Sequence, residues 1–181
     1  MNRKGFLLML LLFGSAATPV LAQTEAPQQP APLRFILDLQ GKWESTASMQ
    51  LEDNTYSFQY FADFRPTADG DAVLMLESAD ISGVGKLRGA NLIGFNPYDG
   101  KIHWYSVDNM GTTHEHIGDL SSENEFRMIH SSMQNGKSYQ EDIGMKRINK
   151  NELVLKVVAT LDGKIVETIN GTFKRSGSPR E

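Results

Sequence analysis

Short segments in which apolar and polar residues alternate follow one another along most of this chain. Phe58, Tyr60, Ala62 and Phe64 share one parity, and every second residue of segment 153–161 is apolar. This alternation is typical of antiparallel strands with one buried face. It predicts ten strands, at residues 42–51, 56–64, 72–78, 86–95, 102–108, 113–120, 126–132, 138–147, 153–161 and 165–175.

Turn-forming residues separate these segments. Asn135-Gly136 and Asp162-Gly163 are strong signals for two-residue hairpins, because asparagine, aspartate and glycine tolerate the positive φ that such turns require. Ahead of the first strand, apolar residues fit one face of a short helix that Gly41 ends. These apolar residues are Leu33, Ile36, Leu37 and Leu39.

The pattern as a whole predicts an all-β fold with one short N-terminal helix. A single open sheet of ten strands would leave two unpaired edges and an uncovered apolar face. We therefore expect an antiparallel, up-and-down barrel of the calycin or lipocalin-like type.

The first 22 residues read as a secretory signal peptide. A basic start at Arg3 and Lys4 is followed by an apolar run and by small residues that end at Ala22. The run is much shorter than the ~20 residues that a membrane-spanning helix needs. We expect cleavage after Ala22 and a periplasmic or secreted protein. A proline-rich flexible spacer (23–32), a barrel domain (33–176) and a disordered tail (177–181) are expected to follow.

Charge and composition remove several classes of function. Loss of Arg3 and Lys4 with the signal peptide takes the net charge from −4 to −6, and no basic cluster stands out. Nucleic acid and anionic membrane surfaces are therefore not expected as partners. The chain contains no cysteine, which excludes disulfides, thiol catalysis and thiolate metal sites.

Two stretches carry a resemblance to known families. Segment 37–43 (Leu-Asp-Leu-Gln-Gly-Lys-Trp) resembles the start of a lipocalin-like barrel, in which Gly41-x-Trp43 enters the first strand. Segment 94–97 (Gly-Phe-Asn-Pro) and segment 104–112 (Trp-Tyr-Ser-Val-Asp-Asn-Met-Gly-Thr) resemble an uncharacterised bacterial secreted family, a domain of unknown function. The resemblance implies a calycin-type barrel over residues 37–175 and implies no activity.

The haem-binding nitrobindin group is a more distant resemblance through the same Gly-x-Trp pattern. In that group the haem-ligating histidine lies near the C-terminal end of the domain. Here His130 is the last histidine, and residues 151–181 contain none. We therefore do not expect haem.

His114-Glu115-His116 is the most suggestive local cluster. On a strand, residues two apart point to the same face, about 6–7 Å from each other. His114 and His116 would hold one metal ion if a neighbouring strand supplied a third ligand, and His103, His130, Glu141 and Asp142 are candidates. The alternative is a pair of ordinary solvent-facing histidines.

The large side chains of Trp104 and Tyr105 are candidates for lining a ligand cavity, since pockets for small molecules are mostly apolar with a few polar groups. His103, His114 or His116 would orient a polar end of the ligand. The alternative role of Trp104 is in the barrel core.

Other residues are expected to be structural. The lipocalin-like resemblance implies that Trp43 packs against a basic residue of the last strand, with Lys174 and Arg175 as candidates. Asp108, Asn109 and Gly111 suit a tight turn, because Asp and Asn side chains bind nearby backbone amides and glycine supplies positive φ.

The leading functional hypothesis is a non-enzymatic binding protein for a small apolar or amphipathic molecule. The first alternative is a hydrolase or isomerase that uses His114 and His116, with or without a metal. The second alternative is a structural or protein-interaction domain without a ligand, for example a homodimer formed through an exposed strand.

Overall fold

A computed structural model describes residues 29–111 and 113–176. The predicted signal peptide, most of the predicted spacer and the predicted tail lie outside the described residues. No described helix is long and apolar enough to cross a membrane.

Within the described residues, ten antiparallel strands form one closed barrel, which confirms the predicted fold class. The strands are β1 Gly41–Leu51, β2 Asn54–Thr67, β3 Ala72–Ile81, β4 Gly85–Asn96, β5 Lys101–Asp108, β6 Thr113–Ser122, β7 Glu125–Gln134, β8 Lys137–Asn149, β9 Glu152–Leu161 and β10 Lys164–Arg175. Consecutive strands pair in order, and β1 pairs with β10 to close the barrel. A short 3-10 turn at Ala68–Gly70 joins β2 to β3.

The two hairpins that the sequence marks most strongly have the turn geometry expected of them. Asn135 and Gly136 have φ values of 51° and 76°, and Asp162 and Gly163 have values of 49° and 75°. Positive φ at both central residues gives the turn a twist that matches the twist of the flanking strands.

Helix α1 spans Ala31–Leu37 and closes one end of the barrel. It includes Ala31 and Pro32, which the sequence pattern places in the spacer. Leu33, Phe35 and Ile36 are buried against the barrel floor, where the ring of Phe35 lies 5.9 Å from that of Phe126. Each such side chain contributes roughly 1.5–3 kcal/mol on burial.

The side chain of Arg175 links the end of β10 to the connection between α1 and β1. Its guanidinium lies 4.4 Å from the ring centroid of Trp43 and donates to the backbone carbonyls of Asp38 and Gln40. Trp43 in turn donates its indole N–H to the carbonyl of Leu39 at 2.7 Å. It is Arg175, and not Lys174, that packs on Trp43. Gly41 has a φ of 114°, a conformation that glycine alone adopts readily.

Candidate functional site

A cavity of about 770 Å³ lies inside the barrel. This volume falls within the usual range of small-molecule pockets, roughly 300–1,000 Å³. Trp43 and Phe64 line it near the helix-covered floor, while Leu51, Val84 and Gln134 line it at the opposite end. These last residues lie at or beside strand-connecting turns, so the mouth of the cavity lies away from α1.

Three histidines and a glutamate meet on one wall of this cavity. His114 and His116 lie on β6, His130 on β7 and Glu141 on β8, three consecutive strands of the barrel. His130 and Glu141 are direct cross-strand partners. We call these four residues the histidine cluster. Neighbouring strands are ~4.8 Å apart, so inward side chains at matched positions come within contact distance.

The rings of the histidine cluster are closely spaced. The centroid of the His114 ring lies 4.6 Å from that of His116 and 4.7 Å from that of His130. Nε2 of His116 lies 3.7 Å from Oε1 of Glu141, and Nε2 of His114 lies 4.0 Å from Oε2 of the same carboxylate. Both distances exceed hydrogen-bond length.

His116 is buried with neither ring nitrogen hydrogen-bonded. Its side chain is only 2% exposed, and Nδ1 and Nε2 both lack a partner. An unsatisfied buried polar group costs roughly 1–3 kcal/mol, so this arrangement of His116 is unfavourable unless a further group satisfies the ring. His130 differs, because its Nδ1–H donates to the backbone carbonyl of Glu115 at 2.8 Å. That bond leaves its Nε2 as the available nitrogen.

Burial and neighbouring charges shift the ionisation of these groups. Burial lowers the pKa of His114, and the adjacent His116 lowers it further. Burial acts to raise the pKa of Glu141, but the imidazoles of His116 and His114 outweigh it and lower the pKa. Glu167, also in the cavity wall, has a raised pKa because of burial and the charge of Glu141.

Carboxylate side chains line the cavity, and the basic residues among its described lining are the histidines. Glu77, Asp108, Glu141 and Glu167 all line it. Among the described lining residues there is no lysine or arginine. The site is therefore suited to a neutral or cationic group and unsuited to an anion.

A second polar network crosses the wall formed by β2, β3, β4 and β5. The side-chain amide of Asn91 donates to Glu77 at 2.9 Å, and its oxygen accepts from the indole of Trp104 at 2.9 Å and from Ser106 at 2.6 Å. Tyr60 donates its hydroxyl to Glu77. The ring of Trp104 lines the cavity with its N–H satisfied, so the residue is at once part of the core and part of the wall.

His103 and Tyr105 lie on the outer face of β5, because they have the opposite parity to Trp104. Tyr105 is 50% exposed. His103 sits between two carboxylates, with Nε2 at 2.8 Å from Asp99 and Nδ1 at 2.5 Å from Glu115. The hydrogen bonds to Asp99 and Glu115 raise the pKa of His103. Neither His103 nor Tyr105 is among the residues that line the cavity.

The structure separates the four candidates for a third metal ligand. Glu141 and His130 face the cavity beside His114 and His116. His103 faces outward, and so does Asp142, which pairs with the guanidinium of Arg127.

Asp108, Asn109 and Gly111 form the turn between β5 and β6. The carboxylate of Asp108 accepts the backbone N–H of Met110 at 2.7 Å, and Gly111 has a φ of 91°. Asn109 ties this turn to β4 by accepting from the N–H of Arg88 and donating to the carbonyl of Lys86. Asp108 also lines the cavity mouth.

Sequence reasoning missed Glu77, Asn91, Tyr139 and Glu167 as cavity residues. Glu77, Asn91 and Glu167 are polar residues at inward positions of strands that are mostly apolar on that face, whereas Tyr139 shares its face of β8 with Glu141. The signal for such a residue is a polar side chain within a series of alternate apolar residues, and Glu77 between Met75 and Ala79 is the clearest case.

No protein-family model matches the sequence, and no curated protein is similar to it at a significant level. Solved structures with a similar fold include the S-type phycobiliprotein lyase CPES from Guillardia theta. The superposition has a TM-score of 0.57 at 12% identity and covers 81% of this chain and 93% of that one. Rv2717c from M. tuberculosis gives a TM-score of 0.62 at 15% identity and covers 82% and 98% of the two chains.

These likenesses show the fold and no more. Together with the closed ten-stranded topology they define a barrel of the calycin-like type. The resemblance to the uncharacterised bacterial family stays a prediction.

Proposed function

We propose that this protein binds a small amphipathic molecule inside its barrel and does not transform it. The observation that carries the proposal is the cavity, which is large enough for a drug-sized ligand and is lined mainly by apolar side chains with a few convergent polar groups. Burial of the apolar part of the ligand would supply most of the binding free energy.

The lining also indicates the charge of the ligand. With carboxylate side chains and no described lysine or arginine in the wall, an anionic ligand would lose hydration without gaining a lysine or arginine partner. A neutral or cationic polar end would instead accept or donate hydrogen bonds at the histidine cluster or at Glu77. We therefore propose a ligand with an apolar body and a neutral or positively charged head.

Export belongs to the same proposal. The basic start, short apolar run and small residues before Ala22 support a signal peptide and a periplasmic or secreted location. N-terminal sequencing of the protein recovered from the periplasm tests this, with Gln23 expected as the first residue. An intact N-terminus in the cytoplasm would contradict it.

Binding is tested with N-phenylnaphthylamine, a neutral apolar dye that fluoresces when it leaves water. The untagged chain from Gln23 onward should give a saturable increase in fluorescence with one site per chain. The sulfonated analogue of the dye, anilinonaphthalene sulfonate, should bind at least ~10-fold more weakly, because a buried sulfonate would have no cationic partner. Equal affinity for both dyes would contradict the proposed charge preference.

A matched pair of variants locates the binding. Ser132 lines the cavity near its mouth, whereas Ser131, the preceding residue on β7, is exposed on the outer face. Ser132→Trp should fill the mouth and lower the affinity for N-phenylnaphthylamine by at least ~10-fold, since the dye and the new indole compete for one volume. Ser131→Trp should leave the affinity unchanged. The proposal is wrong if wild type shows no saturable binding, or if the two variants bind the dye equally.

A further inference from the structure

The donor atoms of His114, His116 and Glu141 converge on one point of the cavity wall. One nitrogen of each histidine and one carboxylate oxygen all lie within 4.8 Å of one another. We propose that these three side chains bind one divalent cation of the zinc class, with a fourth coordination position open to the cavity. This goes beyond ligand binding, because it assigns a metal site to residues that the proposed function uses only as polar lining.

The spacing of the donor atoms favours tetrahedral coordination. Bonds of ~2.1 Å to nitrogen and oxygen place tetrahedral ligands about 3.4 Å from each other. Nε2 of His116 lies 3.7 Å from Oε1 of Glu141 and Nε2 of His114 lies 4.0 Å from Oε2, and the three donor atoms, one per residue, lie within 4.8 Å of one another. A contraction, with rotation of the carboxylate to present one oxygen, brings them to tetrahedral spacing. Octahedral neighbours would be closer still, about 3.0 Å apart, so a metal that prefers six ligands fits less well.

The unpartnered nitrogens of His116 are an independent sign of a ligand. The side chain of His116 is 2% exposed, and no described protein group donates to or accepts from either ring nitrogen. Coordination through Nε2, the nitrogen nearer to Glu141, would give that atom its missing partner.

Charge points the same way. Glu141 and Glu167 both line the cavity, and no lysine or arginine is among its described lining residues. A bound dication would supply the missing positive charge beside Glu141. Buried carboxylates are normally paired or bound to a metal.

Neighbouring groups already orient two parts of the site. Tyr139 donates its hydroxyl to Oε2 of Glu141 at 3.2 Å, an outer contact of the kind that fixes a ligating carboxylate. His130 is held by its bond to the carbonyl of Glu115, which keeps a further imidazole beside the three donors. The chain has no cysteine, so the donor set is nitrogen and oxygen only, and two histidines with one glutamate are a ligand set that binds zinc with one position open.

The test is an isothermal titration calorimetry experiment in which untagged, chelator-treated protein is titrated with Zn²⁺ alone. We expect one equivalent per chain with a micromolar or lower dissociation constant. Co²⁺ in place of Zn²⁺ should give the intense visible absorption of a tetrahedral site, a readout on the wild-type chain that needs no variant.

Substitutions identify the residues that bind the metal. His114→Ala and Glu141→Gln should each weaken Zn²⁺ binding by at least ~100-fold, because each removes one of three protein ligands. His103→Ala is the matched control, since His103 contacts two carboxylates on the outer face of the same barrel and should leave the affinity unchanged. Far-UV circular dichroism checks that each variant is folded.

Three results would overturn the proposal. The first is the absence of stoichiometric Zn²⁺ binding at micromolar concentrations. The second is that His103→Ala loses Zn²⁺ binding while the folded His114→Ala and Glu141→Gln variants retain it. The third is a weak Co²⁺ spectrum of the octahedral kind. Titration of the same samples with N-phenylnaphthylamine separates the two proposals. A chain that binds the dye and no metal retains the proposed function and loses this inference.

Discussion

Replacement of Asn91 by leucine tests whether the polar network beneath the cavity wall holds the barrel together. Asn91 is 2% exposed, and its amide links Glu77 on β3 to Trp104 and Ser106 on β5. Leucine has a similar volume and can neither donate nor accept a hydrogen bond. The substitution therefore removes three hydrogen bonds to other side chains, and a longer one of 3.5 Å to the carbonyl of Met75, without opening a large cavity.

The expected change in the free energy of unfolding depends on whether water can replace Asn91 as the hydrogen-bond partner of each group. Trp104 is 4% exposed, so its indole N–H would be left buried without an acceptor at a cost of ~1–3 kcal/mol. Ser106 and Glu77 border the cavity, where water replaces Asn91, so each lost bond costs about 0.5–1 kcal/mol. The added apolar burial of leucine offsets ~1–2 kcal/mol of this. We expect a net loss of about 1–3 kcal/mol in the free energy of unfolding.

Urea unfolding followed by tryptophan fluorescence measures this loss. The midpoint should fall with an unchanged m-value, because the surface exposed on unfolding stays the same. Ser106→Ala is the control, since it removes one bond to Asn91 and leaves the indole satisfied, so it should cost at most ~1 kcal/mol. The reasoning fails if Asn91→Leu is as stable as wild type or matches Ser106→Ala.

Two further predictions concern packing and pH. Gly118→Ala should lower the free energy of unfolding by ~1–3 kcal/mol, because a Cβ there would lie 2.7 Å from the carbonyl oxygen of Arg127. Gly144→Ala is the control and should have little effect in the same urea assay, because a Cβ at Gly144 would meet nothing within 4 Å. The ion pairs of His103, led by that with Asp99, raise its pKa from 6.5, so its contribution to stability is complete below pH 6.5 and is lost as pH rises through the raised value. The difference in urea midpoint between wild type and His103→Gln should therefore shrink between about pH 5.5 and pH 8.5, and a constant difference would contradict the assignment.

The fold could be predicted because its signals are local. Alternation within a strand and the Asn135-Gly136 and Asp162-Gly163 turns depend only on nearby residues. Strand ends were less accurate: β3 continues to Ile81, past the predicted end at Ser78, because its pairing with β4 extends to Gly85. Pairing between strands decides where a strand stops, and a single sequence does not report it.

The candidate site could be predicted only in part, because it depends on parity and register. The shared face of His114 and His116 follows from their spacing alone. The position of Glu141 beside His130 follows from the register of β7 against β8, which the sequence does not reveal. His103 is a different case, because adjacent residues of one strand point to opposite faces and the sequence alone therefore indicates that His103 and Trp104 do not both face the cavity.

The contact between β1 and β10 has a consequence for how the chain folds. Among the described strands, nine of the ten pairings join neighbours in sequence, and only the seam from Trp43–Arg175 to Leu51–Glu167 joins the two ends of the domain. Local hairpins close short loops and form early, whereas the seam must close a loop of more than a hundred residues. The seam is therefore expected to form after the folding transition state, so that substitutions there speed unfolding and leave the folding rate almost unchanged. The pairing of the first strand with the last therefore sets the lifetime of the folded barrel.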